Sequence, residues 1–158
     1  NRLTQLTIAT SSADQASGMQ SSYTATLTGG NITITNNNTY ITPEELGVVN
    51  TAIGHVTGTR TIGGSFTCYL SDDSANVTSS SDFFRDIKDN LSSTVTNSFA
   101  LTFSIGGASG RRVALAFPTA HVEIPSISIE DVISLETTFS ALPSTIDNTD
   151  EVTINYLV

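Results

Sequence analysis

The side chains best equipped for chemistry are few and scattered. His121 and Glu123 have the H-x-E spacing of half a zinc deaminase signature, in which His binds the metal and Glu moves protons. The other half needs a P-C-x-x-C, and the chain has one cysteine, Cys68. On a strand, residues two apart share a face, so His121 and Glu123 read as neighbours on a solvated surface. A hydrolase built on this pair is the weakest of the readings considered. Cys68 stands between Phe66 and Leu70 in an apolar row and reads as a small buried hydrophobe. Alone, it excludes an internal disulfide and any multi-cysteine metal site. His55 has no neighbour in sequence that would orient it as a base. Gly107-Ala108-Ser109-Gly110-Arg111 imitates a nucleophile elbow but lacks the closing glycine, and reads as a hairpin tip. The acidic pairs Glu44-Glu45, Asp72-Asp73, Glu130-Asp131 and Asp150-Glu151 stand apart from one another, as solvated turns do. Asp72-Asp73-Ser74-Ala75-Asn76 is too incomplete for a calcium loop. The expectation is a chain that is no enzyme and takes no cofactor or metal.

The bulk composition agrees. Among 158 residues, 38% are apolar and 13% charged, and about 60 are Ser, Thr, Asn or Gln, far above ordinary usage. The length suits one domain with a core of its own. The net charge is -9, and only Arg111 and Arg112 among six bases are adjacent. Nothing in that distribution grips a phosphate backbone; an acidic surface repels it. No apolar run approaches the roughly 20 residues of a transmembrane helix. The first residues, Asn1 onward, carry no basic or apolar leader pattern, and Leu3-Thr4-Gln5-Leu6-Thr7-Ile8 reads as the inside of a strand. The expectation is either a processed N-terminus or, preferred because of that strand, a chain that is part of a longer polypeptide.

The elements that must position these residues are strands. Phe99, Leu101, Phe103 and Ile105 alternate with Ser98, Ala100, Thr102 and Ser104. Val113, Leu115 and Phe117 form a second row, Pro118 marks a bulge or edge, and Ala120, Val122 and Ile124 continue it to Pro125. Ile133, Leu135, Thr137, Phe139 and Ala141 form a third; Phe66, Cys68 and Leu70 a fourth; Val152, Ile154, Tyr156 and Val158 the last. Near the start, Tyr23, Ala25 and Leu27 lead to Gly29-Gly30, a two-residue hairpin signal, and then to Ile32 and Ile34. About eight strands predict an antiparallel sandwich or partly rolled barrel. One helix breaks the period. Ser80 or Ser81 caps it, Asp82 sits in its first turn, and Phe83, Phe84, Ile87 and Leu91 share a face. A short turn is signalled at Thr42-Pro43-Glu44-Glu45, stopped by Gly47. It lies inside residues 36–57, a connection long enough to be functional.

Several stretches carry a resemblance. The run from Gly30-Asn31-Ile32-Thr33-Ile34-Thr35 through Asn36-Asn37-Asn38, Thr42-Pro43-Glu44-Glu45-Leu46-Gly47 and Ile53-Gly54-His55-Val56-Thr57-Gly58, on to Gly63-Gly64-Ser65-Phe66-Thr67-Cys68, is similar to the tail tube proteins of long-tailed bacteriophages. Phe117-Pro118-Thr119-Ala120 and Glu151-Val152-Thr153-Ile154-Asn155-Tyr156 resemble them too. The likeness extends from about Ser22 to the end.

That resemblance implies a mainly β fold, an antiparallel β-sandwich or partly rolled barrel with one flanking helix. Residues 1–158 would form a single domain, or the second half of a duplicated chain. It implies a structural virion protein that self-associates into six-fold, or three-fold pseudo-six-fold, rings. The rings stack into a hollow tube, assembled in the host bacterial cytoplasm, through which genome DNA passes without sequence-specific binding. Tape measure and tail end-cap proteins are the implied partners, with no membrane. Residues 36–57 are then the candidate ring-to-ring contact, with Tyr40, Ile41, Leu46, Val48, Val49 and Ile53 as apolar anchors. The competing reading folds this segment back on its own domain. Glu123 and Glu136, each on the polar side of an alternating run, are the candidate lumen-facing acids; an outward position is the alternative. A different class of function, a secreted or displayed β-sandwich adhesion module, would need a concave aromatic platform, and the chain has no Trp.

Overall fold

The computed structural model describes residues 4–42, 54–72, 78–90, 98–106, 111–129, 132–146 and 148–157. Its strands are β1 (Thr4–Ala9), β2 (Ser22–Ile41), β3 (Gly54–Tyr69), β4 (Phe99–Ile105), β5 (Arg112–Val122), β6 (Ser126–Ile129), β7 (Ile133–Ala141) and β8 (Thr153–Leu157). Two helices, α1 (Ser12–Ala16) and α2 (Ser80–Asn90), lie between them. All pairings are antiparallel, in the order β6-β7-β3-β2-β1-β4-β5-β8. A further ladder joins β5 to β7 through Ala120↔Ala141, His121↔Ser140 and Val122↔Phe139. The sheet therefore curls on itself. Strands β1, β2, β3, β7, β5 and β4 close a barrel, and β6 and β8 hang from it as outer strands.

Alternation explains the closure. The inward rows Leu6 and Ile8, Leu101 and Phe103, Phe117 and Ala120, Leu135 and Phe139, and Phe66 and Cys68 are all buried. Registers place them side by side: Leu6↔Phe103, Ile8↔Leu101 and Leu101↔Phe117. Four phenylalanines fill the middle. Phe103 meets Phe117 edge-on at 5.8 Å, and Phe117 meets Phe139 at 5.2 Å. Each such ring contributes about 1.5–3 kcal/mol by leaving water.

β5 runs without a break through Pro118. The register against β4 slips between Phe99↔Ala120 and Leu101↔Phe117, so the residues around Pro118 form the bulge that its missing N–H requires. That bend turns the end of β5 away from β8 and toward β7.

The helix holds one mouth of the barrel. Phe83 packs on Tyr23 at 5.1 Å and edge-on to Phe99 at 5.7 Å. The Tyr23 hydroxyl donates to Asp86 Oδ2 at 2.6 Å and accepts from the Gln20 N–H. Its N-cap is Ser79 rather than Ser80 or Ser81. The Ser79 N–H and Oγ donate to Asp82 Oδ2 at 3.1 and 2.6 Å, and the Asp82 N–H points back to Ser79 Oγ at 3.4 Å. Ser80 is diverted: its Oγ donates to the Tyr69 carbonyl and accepts from the Ser71 N–H, tying the helix start to the end of β3.

Two further expectations change. Gly29 and Gly30 make no hairpin; β2 passes straight through them for 20 residues. Instead the register against β3 slips between Leu27 and Gly29, and Gly30 lies opposite Phe66. A Cβ on Gly30 would sit 2.6 Å from the Ser65 carbonyl oxygen, so glycine here permits close strand approach rather than a turn. Likewise, residues 36–57 are not one loop. Asn36, Asn38, Thr39, Tyr40 and Ile41 pair in register with Arg60, Thr57, Val56, His55 and Gly54. The signalled turn at Pro43, the anchors Leu46, Val48, Val49 and Ile53, the loop 107–110 and Leu91 lie outside the described residues.

Candidate assembly surfaces

β2 and β3 are longer than the barrel needs. β1 accompanies β2 only as far as Leu27, and β7 accompanies β3 only from Ile62. Residues 35–41 and 54–61 thus leave the barrel as a two-stranded ribbon with no further strand beside it among the described residues. At about 3.3 Å per residue it projects roughly 20–25 Å. A second bulge sets Gly58 and Thr59 of β3 opposite Asn37, whose Nδ2 donates to the Thr59 carbonyl at 2.9 Å and so is satisfied within the ribbon. The ribbon is polar and nearly uncharged until its end, where Tyr40 is 70% exposed, Ile41 45% and Val56 56%. Its base is fastened by Arg60, whose guanidinium reaches Glu151 Oε2 at 2.7 Å, just ahead of β8.

The two outermost strands form the second pair of surfaces. β6 reads SISI and β8 reads TINYL; neither carries a charge or a proline. Those are the usual protections of a free sheet edge. Every residue of both strands is exposed. The apolar members Ile129, Ile154 and Tyr156 are 77%, 58% and 70% exposed. Sequence reading places Ile154 and Tyr156 in an apolar strand row but does not reveal that the row overhangs the barrel. Ile127 and Ile129 were missed. The signal was present as alternate isoleucines between Pro125 and the acids Glu130 and Asp131.

Residues of β2, β3, β4 and β5 line an open cleft of about 380 Å³, among them Leu27, Ile32, Phe66, Phe103, Ile105 and Leu115. The outward face of β2, β3 and β7 nearby is a polar, uncharged groove of Asn31, Thr33, Thr35, Thr61, Ser65 and Thr138.

The chemistry-bearing residues do not converge. His121 is exposed on β5 opposite Ser140. Glu123 lies one residue past the end of β5, its N–H donating to the Thr138 carbonyl and its own carbonyl accepting from Thr137 Oγ1. Glu136 is on β7, between Thr67 of β3 and Ser126 of β6. Both carboxylates face out of the barrel into solvent. Cys68 is buried, and burial pushes its thiol up to about 11, which removes it as a nucleophile. His55 stands on the ribbon opposite Tyr40. Among the described residues no group of three His, Cys, Asp or Glu could hold a metal ion, and no helix is long and apolar enough to cross a membrane. The exposed tyrosines Tyr40, Tyr69 and Tyr156 stand on three different strands.

No protein-family model matches the chain. It is 38% identical over 133 residues to a protein of Escherichia phage T5, the tail tube protein pb6. The match takes in 82% of this chain and 28% of that protein, so the chain spans little more than a quarter of its relative's length. A chain of the virion of a native gene transfer agent particle has the same fold, with a TM-score of 0.50 at 10% identity. That alignment covers 97% of this chain and 95% of the other.

Proposed function

We propose that this chain, related in sequence to a phage tail tube protein over most of its length, is a structural unit of a phage tail tube. The sequence relationship to pb6 carries the reading. The physical features support it. A barrel with two unprotected apolar edge strands is an aggregation hazard as a monomer and a ring component when the edges pair. A projecting ribbon with an apolar end gives such a ring something to offer the ring beside it.

In this reading the subunits close into six-fold, or three-fold pseudo-six-fold, rings that stack in the virion around a channel for DNA. Assembly takes place in the bacterial cytoplasm, against a tape measure protein and under an end-cap protein. Residues 36–57 make the ring-to-ring contact through Tyr40, Ile41, Leu46, Val48, Val49 and Ile53. Glu123 and Glu136 face the channel. A like-charged wall lacking cationic grips keeps the polyanion mobile, because repulsion still acts over a Debye length of about 8 Å.

Electron microscopy of the purified protein or its particle tests this. The expected images show rings or tubes with a central channel. A stable monomer that never assembles, in a setting without virions, overturns it. A tube built from the Glu123→Lys/Glu136→Lys variant should retain short duplex DNA at low salt where the native tube does not; equal retention removes the lumen assignment alone.

A further inference from the structure

We draw no further inference here: the strongest candidate, the open apolar cleft that Leu27 and Ile32 of β2, Phe66 of β3, Phe103 and Ile105 of β4 and Leu115 of β5 line, carries nothing because nothing in the structure shows what covers it.

Discussion

At the scale of single residues, much of the specificity lies in polar groups placed at the helix and at close strand approaches. Asp82 shows the logic. The Ser79 hydroxyl donating to it, opposed by burial and helped by the Ser79 N–H and the Arg85 guanidinium 2.8 Å away, holds its carboxyl below the usual range. A carboxylate with a depressed folded pKa stabilises above its unfolded pKa, about 3.9, and loses that contribution as pH falls through the folded value. Ser79→Ala should cost about 1 kcal/mol in thermal or urea unfolding at neutral pH. The difference from the native protein should shrink below about pH 4. A deficit that persists unchanged in acid would place the effect elsewhere. Tyr23 works the other way: burial, then its hydrogen bond to Asp86, raises its pKa, so the fold keeps the phenol neutral. Tyr23→Phe removes that donor from Asp86 and should cost about 0.5–1.5 kcal/mol, read as a lower urea midpoint at unchanged slope.

At the scale of elements, the ribbon is the feature whose function depends on geometry. It leaves the barrel between two β-bulges, each a place where a strand bends. Against that freedom stands the Arg60–Glu151 pair, with about a third of the arginine side chain exposed and the glutamate mostly covered. An exposed pair of this kind is worth at most about 1 kcal/mol to stability, so its value lies in direction. Glu151→Gln should leave the melting temperature within a few degrees and slow or misdirect assembly, read by light scattering and by tube straightness in micrographs. Assembly kinetics identical to the native protein would show that the bulges alone set the ribbon's angle. Gly64 is a different kind of constraint: a Cβ there would collide with the Asn31 carbonyl across the ribbon's root. Gly64→Val should therefore break the β2–β3 register and lower yield of folded protein, seen as lost strand signal in circular dichroism.

For the whole molecule, the decisive property is that the closed barrel leaves two strands hanging outside it. Six strands satisfy one another around the barrel, but among the described residues β6 and β8 each pair on one side alone, with isoleucine and tyrosine rather than lysine or proline. Ile154→Lys places a charge on a β8 position that is 58% exposed and lies outside the buried core. The expected outcome is a folded protein of near-native melting temperature that elutes as a monomer. Native-sized assemblies from this variant would mean that β8 is not an edge used between copies.

The residues alone determined the alternation, and alternation determined most of the strands. The rows through Phe99, Val113, Ile133 and Phe66 became barrel walls because a two-residue period leaves each chain one apolar face to bury. The helix is legible through Phe83, Phe84 and Ile87, although the sequence places its cap at Ser80 or Ser81, one or two residues late, because Ser79, Ser80 and Ser81 are chemically alike and only neighbouring groups distinguish them. Gly29-Gly30 misled, since the dipeptide that makes a turn also permits two strands to approach closely, and only the partner at Phe66 decides between them. The acids and histidines could be counted but not placed: a strand's polar side points to solvent or to another subunit with the same alternation. Which strands lie at the sheet's edges, how far the ribbon overhangs, and which apolar side chains remain outside are set by pairings between residues far apart in the chain. Local pattern cannot encode those pairings, because every strand of this protein offers nearly the same face to every other.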